Sequence, residues 1–208
     1  IITSIFNCDK YSIHDRRSIA CYTIDNDGTS DFDDGFSYTK HEDIQQLSIY
    51  VTNVALIIDY LNLWTSLTRR IATIYLPDYK RPMLPSILTD TLCTLSKGND
   101  RIVLALDITV EDNKIKDIKC CNALINIKQN FTYSKANQIF KTSEQFKDII
   151  AISKIITGDN IQKSQGFIHN IMTFMNKHIA TILKSNHCGV FRKTTIKETD
   201  ANIPETIP

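Results

Sequence analysis

The chain has 208 residues, of which 42% are hydrophobic and 23% are charged, as is ordinary for a globular protein with a real core. Its formal net charge is +1, which excludes a global basic field for nucleic acid, so any nucleic-acid site must be a local patch. No apolar run approaches the length of a membrane span, so we expect no membrane-spanning helix.

Six cysteines are present without the paired spacing of a metal site. Because the amino end shows no signal peptide, this pattern of cysteines favours a reduced, cytoplasmic protein. The first residue is Ile and the last stretch is polar and contains proline, so we expect a fragment. We assign 1–14 as a leading segment and 196–208 as a polar tail that precedes a missing carboxyl-terminal part.

The stretch 25–34 is the most acidic part of the chain. Its carboxylates are Asp25, Asp27, Asp31, Asp33 and Asp34. A strand-forming segment precedes it at 19–24, Asn26-Asp27-Gly28 is typical of a turn, and 36–38 predicts a second strand. Crowded carboxylates repel one another and burial adds to the cost, so a cation is needed to neutralise them. Mg²⁺ takes such oxygen ligands. A solvated acidic loop is the alternative, and an isolated Ca²⁺ loop fits less well.

The next predicted elements lead to a proline-rich loop. A buried strand begins near Leu47, and helical spacing over 59–71 places Trp64 in the core. Three prolines then fix the loop 74–85, which also carries two cations and two tyrosines. Rings and cations of this kind would suit a nucleic-acid channel, whereas the alternative is a surface loop with packed tyrosines.

The second half of the chain alternates between strands and helices. A short helix is predicted at 88–95, followed by a strand at 102–110 and its hairpin partner at 115–127. Apolar positions at helical spacing predict two further helices, at 134–158 and 161–184.

Several phrases, in this order, resemble one family. Asp15-Arg16-Arg17, Thr23-Ile24-Asp25 and Asp31-Phe32-Asp33-Asp34 are similar to the opening of the ribonuclease II/ribonuclease R catalytic domain, the RNB domain. The block 70–77, the phrase Pro82-Met83-Leu84-Pro85 and the residues 131–133 resemble its later parts. The resemblance implies an α+β fold with a mixed, largely antiparallel β-sheet core and packed helices. It also implies that 15–195 is a partial catalytic domain, truncated at its carboxyl end.

The family resemblance implies a hydrolytic, two-metal 3′-to-5′ exoribonuclease that releases 5′-nucleoside monophosphates from the 3′ end of single-stranded RNA. The cofactor would be Mg²⁺, with Mn²⁺ as the alternative. By the same resemblance, Asp25, Asp31, Asp33 and Asp34 would be the metal ligands. Asp33 and Asp34 would be catalytic, with Asp34 the acid most closely tied to activating the attacking water.

The predicted RNA contacts also follow from the resemblance. Tyr75 aligns with a family tyrosine that stacks on the terminal nucleotide, and stacking tolerates any base. Arg70, Lys80 and Arg81 are candidates for phosphate contacts, although Arg70 would serve equally well in a core ion pair.

Two departures from the family leave an alternative open. Asn53 stands where the family has an acid, and the glutamates expected on the long helix near His169 are replaced. The family's downstream segment with an arginine for the scissile phosphate is also missing, so we expect the fragment alone to be poorly active. The alternative is a catalytically degenerate RNB-like protein that binds RNA or a partner protein.

Overall fold

The computed structural model describes residues 1–67 and 73–189. The chain divides into two units, 1–175 and 176–208. The first unit contains the sheet and most of the helices, and the described part of the second contains the last turns of the longest helix.

Eight strands are described, and their bounds are as follows. They are β1 (Ile13–Asp15), β2 (Cys21–Asp25), β3 (Asp34–His41), β4 (Ile44–Thr52), β5 (Ile74–Tyr75), β6 (Lys80–Arg81), β7 (Asp100–Glu111) and β8 (Lys114–Thr132). Strands β5 and β6 form a separate two-stranded ladder, and the other six form one sheet. The described helices are α1 (Ile2–Phe6), α2 (Val54–Tyr60), α3 (Trp64–Leu67), α4 (Tyr133–Thr142), α5 (Glu144–Thr157) and α6 (Ser164–Ser185), with a 3₁₀ turn at Asp9–Tyr11 and a π-helical segment at Ile87–Cys93.

The strand pairings of the large sheet close on themselves. β2 pairs with β3, β3 with β4, β4 with β7, β7 with β8, and β8 again with β2. The β3, β4, β7 and β8 pairings along this ring are antiparallel, whereas β1 and β2 run parallel to β8. The prediction of a mixed, largely antiparallel sheet is therefore confirmed. The predicted β7–β8 hairpin is confirmed too, with positive φ at Asp112 and Asn113 in its turn.

Side chains alternate between the two faces of the ring, as the strand period of two requires. One face carries a buried cluster that contains Cys21, Tyr50 and Ile125. The other face carries the rings of Tyr22 and Phe36, which contact aromatic side chains of the helices. The sheet is thus packed on both faces, which fits its nearly continuous buried strands.

A buried ion pair crosses the strand ring. Arg16 donates two hydrogen bonds to Asp107, over 2.6 and 2.5 Å, and Ser48 Oγ donates to the same carboxylate over 2.7 Å. Because both charges are nearly buried, removal of either one would leave an uncompensated charge. The Arg16 of the sequence motif therefore has a structural role.

Three predictions about local structure need correction or comment. Trp64 was predicted to be core, but its side chain is 46% exposed, because Asn62 with φ of 53° ends the helical path and a separate short helix follows. The predicted helix 134–158 is interrupted at Ser143, where the backbone is extended. The leading segment forms α1, whose Ile5 is fully buried against Ile57.

Within the described ranges, no helix is both long and apolar enough to cross a membrane. The six cysteines are all unpaired.

Candidate active site

The four acids predicted as metal ligands lie where β2 ends and β3 begins. Asp25 is the last residue of β2, Asp34 is the first residue of β3, and Asp31 and Asp33 lie in the loop between them. Both strands are fixed by their neighbours, since Asp25 pairs with Thr132 of β8 and Asp34 pairs with a residue of β4. The fold therefore brings the two ends of the acidic stretch together on adjacent strands.

Asp25 carries an unsatisfied buried oxygen. Its Oδ2 atom is buried and has no hydrogen-bond partner among the described residues. Burial raises the pKa of this carboxyl, a hydrogen bond with Thr23 lowers it, and the negative field of Asp33 raises it again. A buried oxygen without a partner is costly, so an atom of this kind calls for an explanation.

Asp34 has a strongly perturbed pKa. Burial raises its pKa to about 6, and the fields of Asp25 and Asp33 contribute in the same direction. The three carboxyl groups are therefore close enough to influence one another's ionisation. Asp31 and Asp33 are more exposed and also line a cleft beside the loop.

The donor set fits a hard divalent cation in its chemistry. Within residues 1–67 and 73–189, however, no three His, Cys, Asp or Glu side chains have the geometry of a formed metal site. The fit instead rests on two observations. The Oδ2 atom of Asp25 is buried without a described partner, and burial together with the charges of Asp25 and Asp33 raises the pKa of Asp34. A cation placed among these acids would satisfy the first and reverse the second.

Residues 94–95, which follow the π-helical segment, bind the backbone of the acidic loop, and we call them the holding segment. Thr94 Oγ1 accepts a hydrogen bond from Phe32 N over 3.0 Å and donates one to the carbonyl oxygen of Ser30 over 3.1 Å. Leu95 N donates to the carbonyl oxygen of Phe32 over 2.8 Å. Three hydrogen bonds thus fix the loop backbone immediately around Asp31, which the sequence did not indicate.

Arg101 supports this holding segment from the interior. Its Nε donates to the carbonyl oxygen of Thr94 over 2.6 Å, and its Nη2 donates to Ser96 Oγ over 3.2 Å. Burial raises the pKa of the nearby Cys93 thiol to about 11, where the charge of Arg101 acts to lower it and that of Asp33 to raise it. The charges of both Arg101 and Asp33 therefore influence the pKa of Cys93.

Asn130 connects the holding segment to β2. Its Nδ2 donates to Thr23 Oγ1 over 2.9 Å and to the carbonyl oxygen of Leu95 over 2.8 Å. A bulge makes this contact possible: Cys21 pairs with Ile127 but Tyr22 pairs with Gln129, so one residue of β8 is extra. The bulge reverses the alternation of side chains along β8 and turns Asn130 towards Thr23.

Tyr133 is another residue near the acids that had no assigned role. It begins α4, directly after Thr132. Burial raises the pKa of its hydroxyl, and the fields of Asp25 and then Asp34 raise it further. The only sequence signal was its position in the family-like phrase at 131–133.

A cleft of about 460 Å³ separates the acidic loop from the proline-rich loop. Asp31 and Asp33 contribute to its lining on the acidic side, and Met83 lies on the proline-rich side, with its N–H bound to Thr73 Oγ1 over 3.1 Å. The proline-rich loop is closed by the β5–β6 ladder. The two regions that the sequence singled out therefore share one cleft.

The predicted RNA contacts belong to this second loop. The backbone of Tyr75 pairs with that of Lys80, and Arg81 is the next residue of the same ladder. The RNA-binding roles of these three side chains stay predictions. Arg70 lies outside the described residues.

Asn53, where the family has an acid, caps a helix. Its Oδ1 accepts a hydrogen bond from Leu56 N over 3.1 Å at the start of α2, and its Nδ2 donates to Asn122 Oδ1 over 2.9 Å. Both ends of the amide are therefore used, and the second contact requires a donor that a carboxylate lacks.

Comparisons with known proteins identify the family and the fold. A family model described as the RNB domain matches residues 13–165. Ribonuclease R of Mycoplasmopsis pulmonis is 31% identical over 172 residues, which are 77% of this chain and 23% of that protein. The first curated relatives are matched over 23–30% of their own length, so the chain spans less than a third of them.

Two solved structures share the fold at low sequence identity. Mycoplasma genitalium RNase R in complex with ribose methylated single-stranded RNA is 21% identical with a TM-score of 0.69, over 84% of this chain and 34% of that one. Yeast Ssd1, described as a pseudonuclease, is 13% identical with a TM-score of 0.58, over 71% of this chain and 19% of that one.

Proposed function

This chain belongs to the RNB domain family, and from that membership and its acidic cluster we propose that it carries the metal-binding part of a hydrolytic 3′-to-5′ exoribonuclease. The proposed substrate is single-stranded RNA, the products are 5′-nucleoside monophosphates, and the cofactor is Mg²⁺, with Mn²⁺ as the alternative. The observation that carries the proposal is that Asp25 and Asp34 are partly buried on adjacent strands, where burial and the charges of neighbouring acids raise the pKa of both carboxyl groups.

The acids would act together as the metal-binding group. Asp25, Asp31, Asp33 and Asp34 would hold the ions, which when bound would supply a water of lowered pKa and neutralise charge on the phosphoryl oxygens. Asp34 must lose its proton to serve as a ligand or base, and its pKa of about 6 lets it do so near neutral pH. Binding of Mg²⁺ to the metal-free cluster is therefore expected to weaken as the pH falls below that value.

The rest of the site would orient the RNA. The cleft beside Asp31 and Asp33 leads to the loop of Tyr75, whose ring would stack on the terminal base and contribute roughly 1–3 kcal/mol. Lys80, Arg81 and Arg70 would bind phosphates. The hydrogen bonds from Thr94 to the acidic loop would keep its carboxylates in place when the substrate binds.

The decisive experiment replaces Asp34 by Asn in the full-length protein. We expect Asp34→Asn to abolish Mg²⁺-dependent release of mononucleotides from a 3′-tailed RNA while leaving its gel-shift affinity nearly unchanged. Asp27→Asn is the matched control, since Asp27 belongs to the same acidic stretch but lies exposed in the turn. If both variants release nucleotides as fast as the parent chain, the catalytic assignment is wrong.

A second candidate is RNA binding without catalysis. Asn53 favours it, because a position at which the family has an acid is used here to cap a helix and to donate to Asn122. This candidate predicts RNA binding that neither Mg²⁺ nor Asp34→Asn alters, with no release of nucleotides under any metal condition.

A further inference from the structure

A second cleft lies beside the acidic cluster, on the face of β8 that is turned towards the helices. It has a volume of about 660 Å³, and the rings of Tyr22 and Phe131 form part of its wall. The two rings contact each other with centroids 5.6 Å apart and belong to the aromatic cluster on the helix side of the sheet. The cleft therefore has a rigid floor that is built into the core.

Three lysines from three different elements line this cleft, and Lys97 Nζ donates to Gln129 Oε1 over 2.7 Å. Lys97 comes from the turn before β7, Lys128 from β8, and Lys135 from the first turn of α4. We call this cavity the lysine cleft. The described residues that line it include no carboxylate, and none of the three appears in an ion pair of the described structure. In a chain with a net charge of +1, this is a local positive site of the kind that the composition required for nucleic acid.

The backbone around each lysine is fixed. Lys97 N donates to Asn130 Oδ1 over 2.8 Å, and the next residue, Gly98, donates to the carbonyl oxygen of Ile127 over 2.7 Å. Lys128 is the extra residue of the β8 bulge, and bulges characteristically redirect a side chain. Lys135 N donates to Thr132 Oγ1, which caps α4. The cations therefore project from anchored positions and not from a loose tail.

The lysine cleft is connected to Asp25 by one strand pairing. Thr132 lines it, and the same residue pairs with Asp25 across the β2–β8 ladder. A nucleotide chain whose end lies at the acidic cluster would therefore bring a neighbouring phosphate within reach of the lysines.

We propose that the lysine cleft binds a phosphate group of a nucleotide next to the acidic cluster. The inference rests on the proposed function for the identity of the ligand as RNA or its product. The shared chemistry is a phosphate held by ammonium groups, and its source is either a phosphodiester of the RNA strand or the released 5′-monophosphate.

The test measures binding without hydrolysis. Fluorescence anisotropy of a labelled single-stranded oligoadenylate would be recorded in EDTA at several KCl concentrations, with the full chain and with a Lys128→Gln/Lys135→Gln variant. Each lost contact should reduce the slope of log K against log salt by about 0.7, and affinity near physiological salt should fall roughly tenfold. A Lys128→Arg/Lys135→Arg variant should bind as the parent chain does.

The matched control removes the same charge elsewhere. Lys114 lies at the opposite end of β8 and Lys40 near the far end of β3, so Lys40→Gln/Lys114→Gln should leave both affinity and salt slope unchanged. If the cleft variant and this control bind RNA equally well, with equal slopes, the inference is wrong. That result leaves the proposed nuclease intact if Mg²⁺-dependent release persists, so the two failures are distinguishable.

Competition identifies the source of the phosphate. If 5′-AMP displaces the oligonucleotide from the parent chain more effectively than from the cleft variant, the cleft holds the monophosphate. If 5′-AMP and inorganic phosphate compete equally with both forms while the oligonucleotide affinity differs, the cleft holds the RNA strand. Either result supports a phosphate site.

Discussion

Arg101 donates a hydrogen bond from Nε to the carbonyl oxygen of Thr94 over 2.6 Å, at a position where the arginine is only 6% exposed. Burial lowers the pKa of this guanidinium, and the fields of Cys93 and Asp100 raise it only in part. Its other acceptors are the carbonyl oxygen of Asp100 and the hydroxyl of Ser96, both neutral. A buried cation with neutral acceptors is costly to maintain, so its role is to hold the segment that in turn holds the acidic loop.

Replacing Arg101 by Gln should therefore affect both stability and the acidic loop. We expect Arg101→Gln to reduce the free energy of unfolding by about 2–3 kcal/mol, because hydrogen bonds from a charged donor are lost and buried acceptors are left unsatisfied. Urea denaturation followed by circular dichroism measures this change. Arg17→Gln is the control: Arg17 is about half exposed and pairs with Asp15, so its loss should leave the urea midpoint unchanged.

The raised pKa of Asp34 predicts a pH-dependent stability. In the unfolded chain this carboxyl ionises near 3.8, whereas in the folded protein its pKa is about 6. Between these values the unfolded state has lost the proton and the folded state keeps it, so rising pH favours unfolding. The stabilising contribution of Asp34 is therefore full below pH 3.8, declines up to pH 6 and is absent above it.

The Asp34→Asn variant should reveal this effect by difference. Relative to the parent chain, its stability in EDTA should increase between pH 4 and pH 7 by an amount on the order of 3 kcal/mol, since one pKa unit corresponds to about 1.4 kcal/mol. Urea titrations at four or five pH values would measure the difference. A difference that stays constant over this range would show that Asp34 is not buried beside other acids.

Local patterns were sufficient to predict the longer strands and the acidic stretch. The β7–β8 hairpin follows from alternating residues around Asp112-Asn113, and the acids at 25–34 follow from composition and the turn signal. These features depend on neighbours in sequence, so a single sequence contains them.

The supports of the site depend on distant contacts, and the sequence did not reveal them. Asn130 reaches Thr23 across 107 positions of the chain, and its orientation depends on a bulge that no residue type announces. The prediction that Trp64 is a core residue was wrong for a related reason. Asn62 adopts a left-handed conformation and ends the helix before Trp64. The indole N–H of Trp64 instead donates to Asp59 at the surface. Tertiary context decided these residues, and periodicity alone could not.

Divalent cations should stabilise the folded chain through the acidic cluster. A ligand that binds only the folded state raises stability by RT ln(1 + [L]/Kd), which is about 2.7 kcal/mol at a concentration of 100 Kd. We expect Mg²⁺ to raise the thermal midpoint of the parent chain near pH 7, and the increase to shrink at pH 5 because protons compete for Asp34. Differential scanning fluorimetry with Mg²⁺ and with EDTA measures both effects.

Two neutral variants separate specific binding from general charge effects in that experiment. Asp25→Asn removes the carboxylate whose Oδ2 has no described partner, and it should abolish the Mg²⁺ response. Asp27→Asn changes the net charge equally at an exposed turn position and should retain the response. An equal response from both variants would mean that Mg²⁺ acts on the acidic surface as a whole and binds no defined site.

Asn53 offers the last prediction, because its amide has two separable roles. Asn53→Ala removes the cap of α2 and the contact with Asn122, and it should reduce the free energy of unfolding by about 1–2 kcal/mol. Asn53→Asp keeps an oxygen that can accept from Leu56 N but points a second acceptor at Asn122 Oδ1, whose own amide already donates to the carbonyl oxygen of Tyr11 over 2.7 Å. We therefore expect Asn53→Asp to be less stable than the parent chain and to bind Mg²⁺ no more tightly, as isothermal titration calorimetry would measure. Tighter Mg²⁺ binding by Asn53→Asp would instead place residue 53 among the metal ligands, and the loss of an acid there would become the reason for a weakened nuclease.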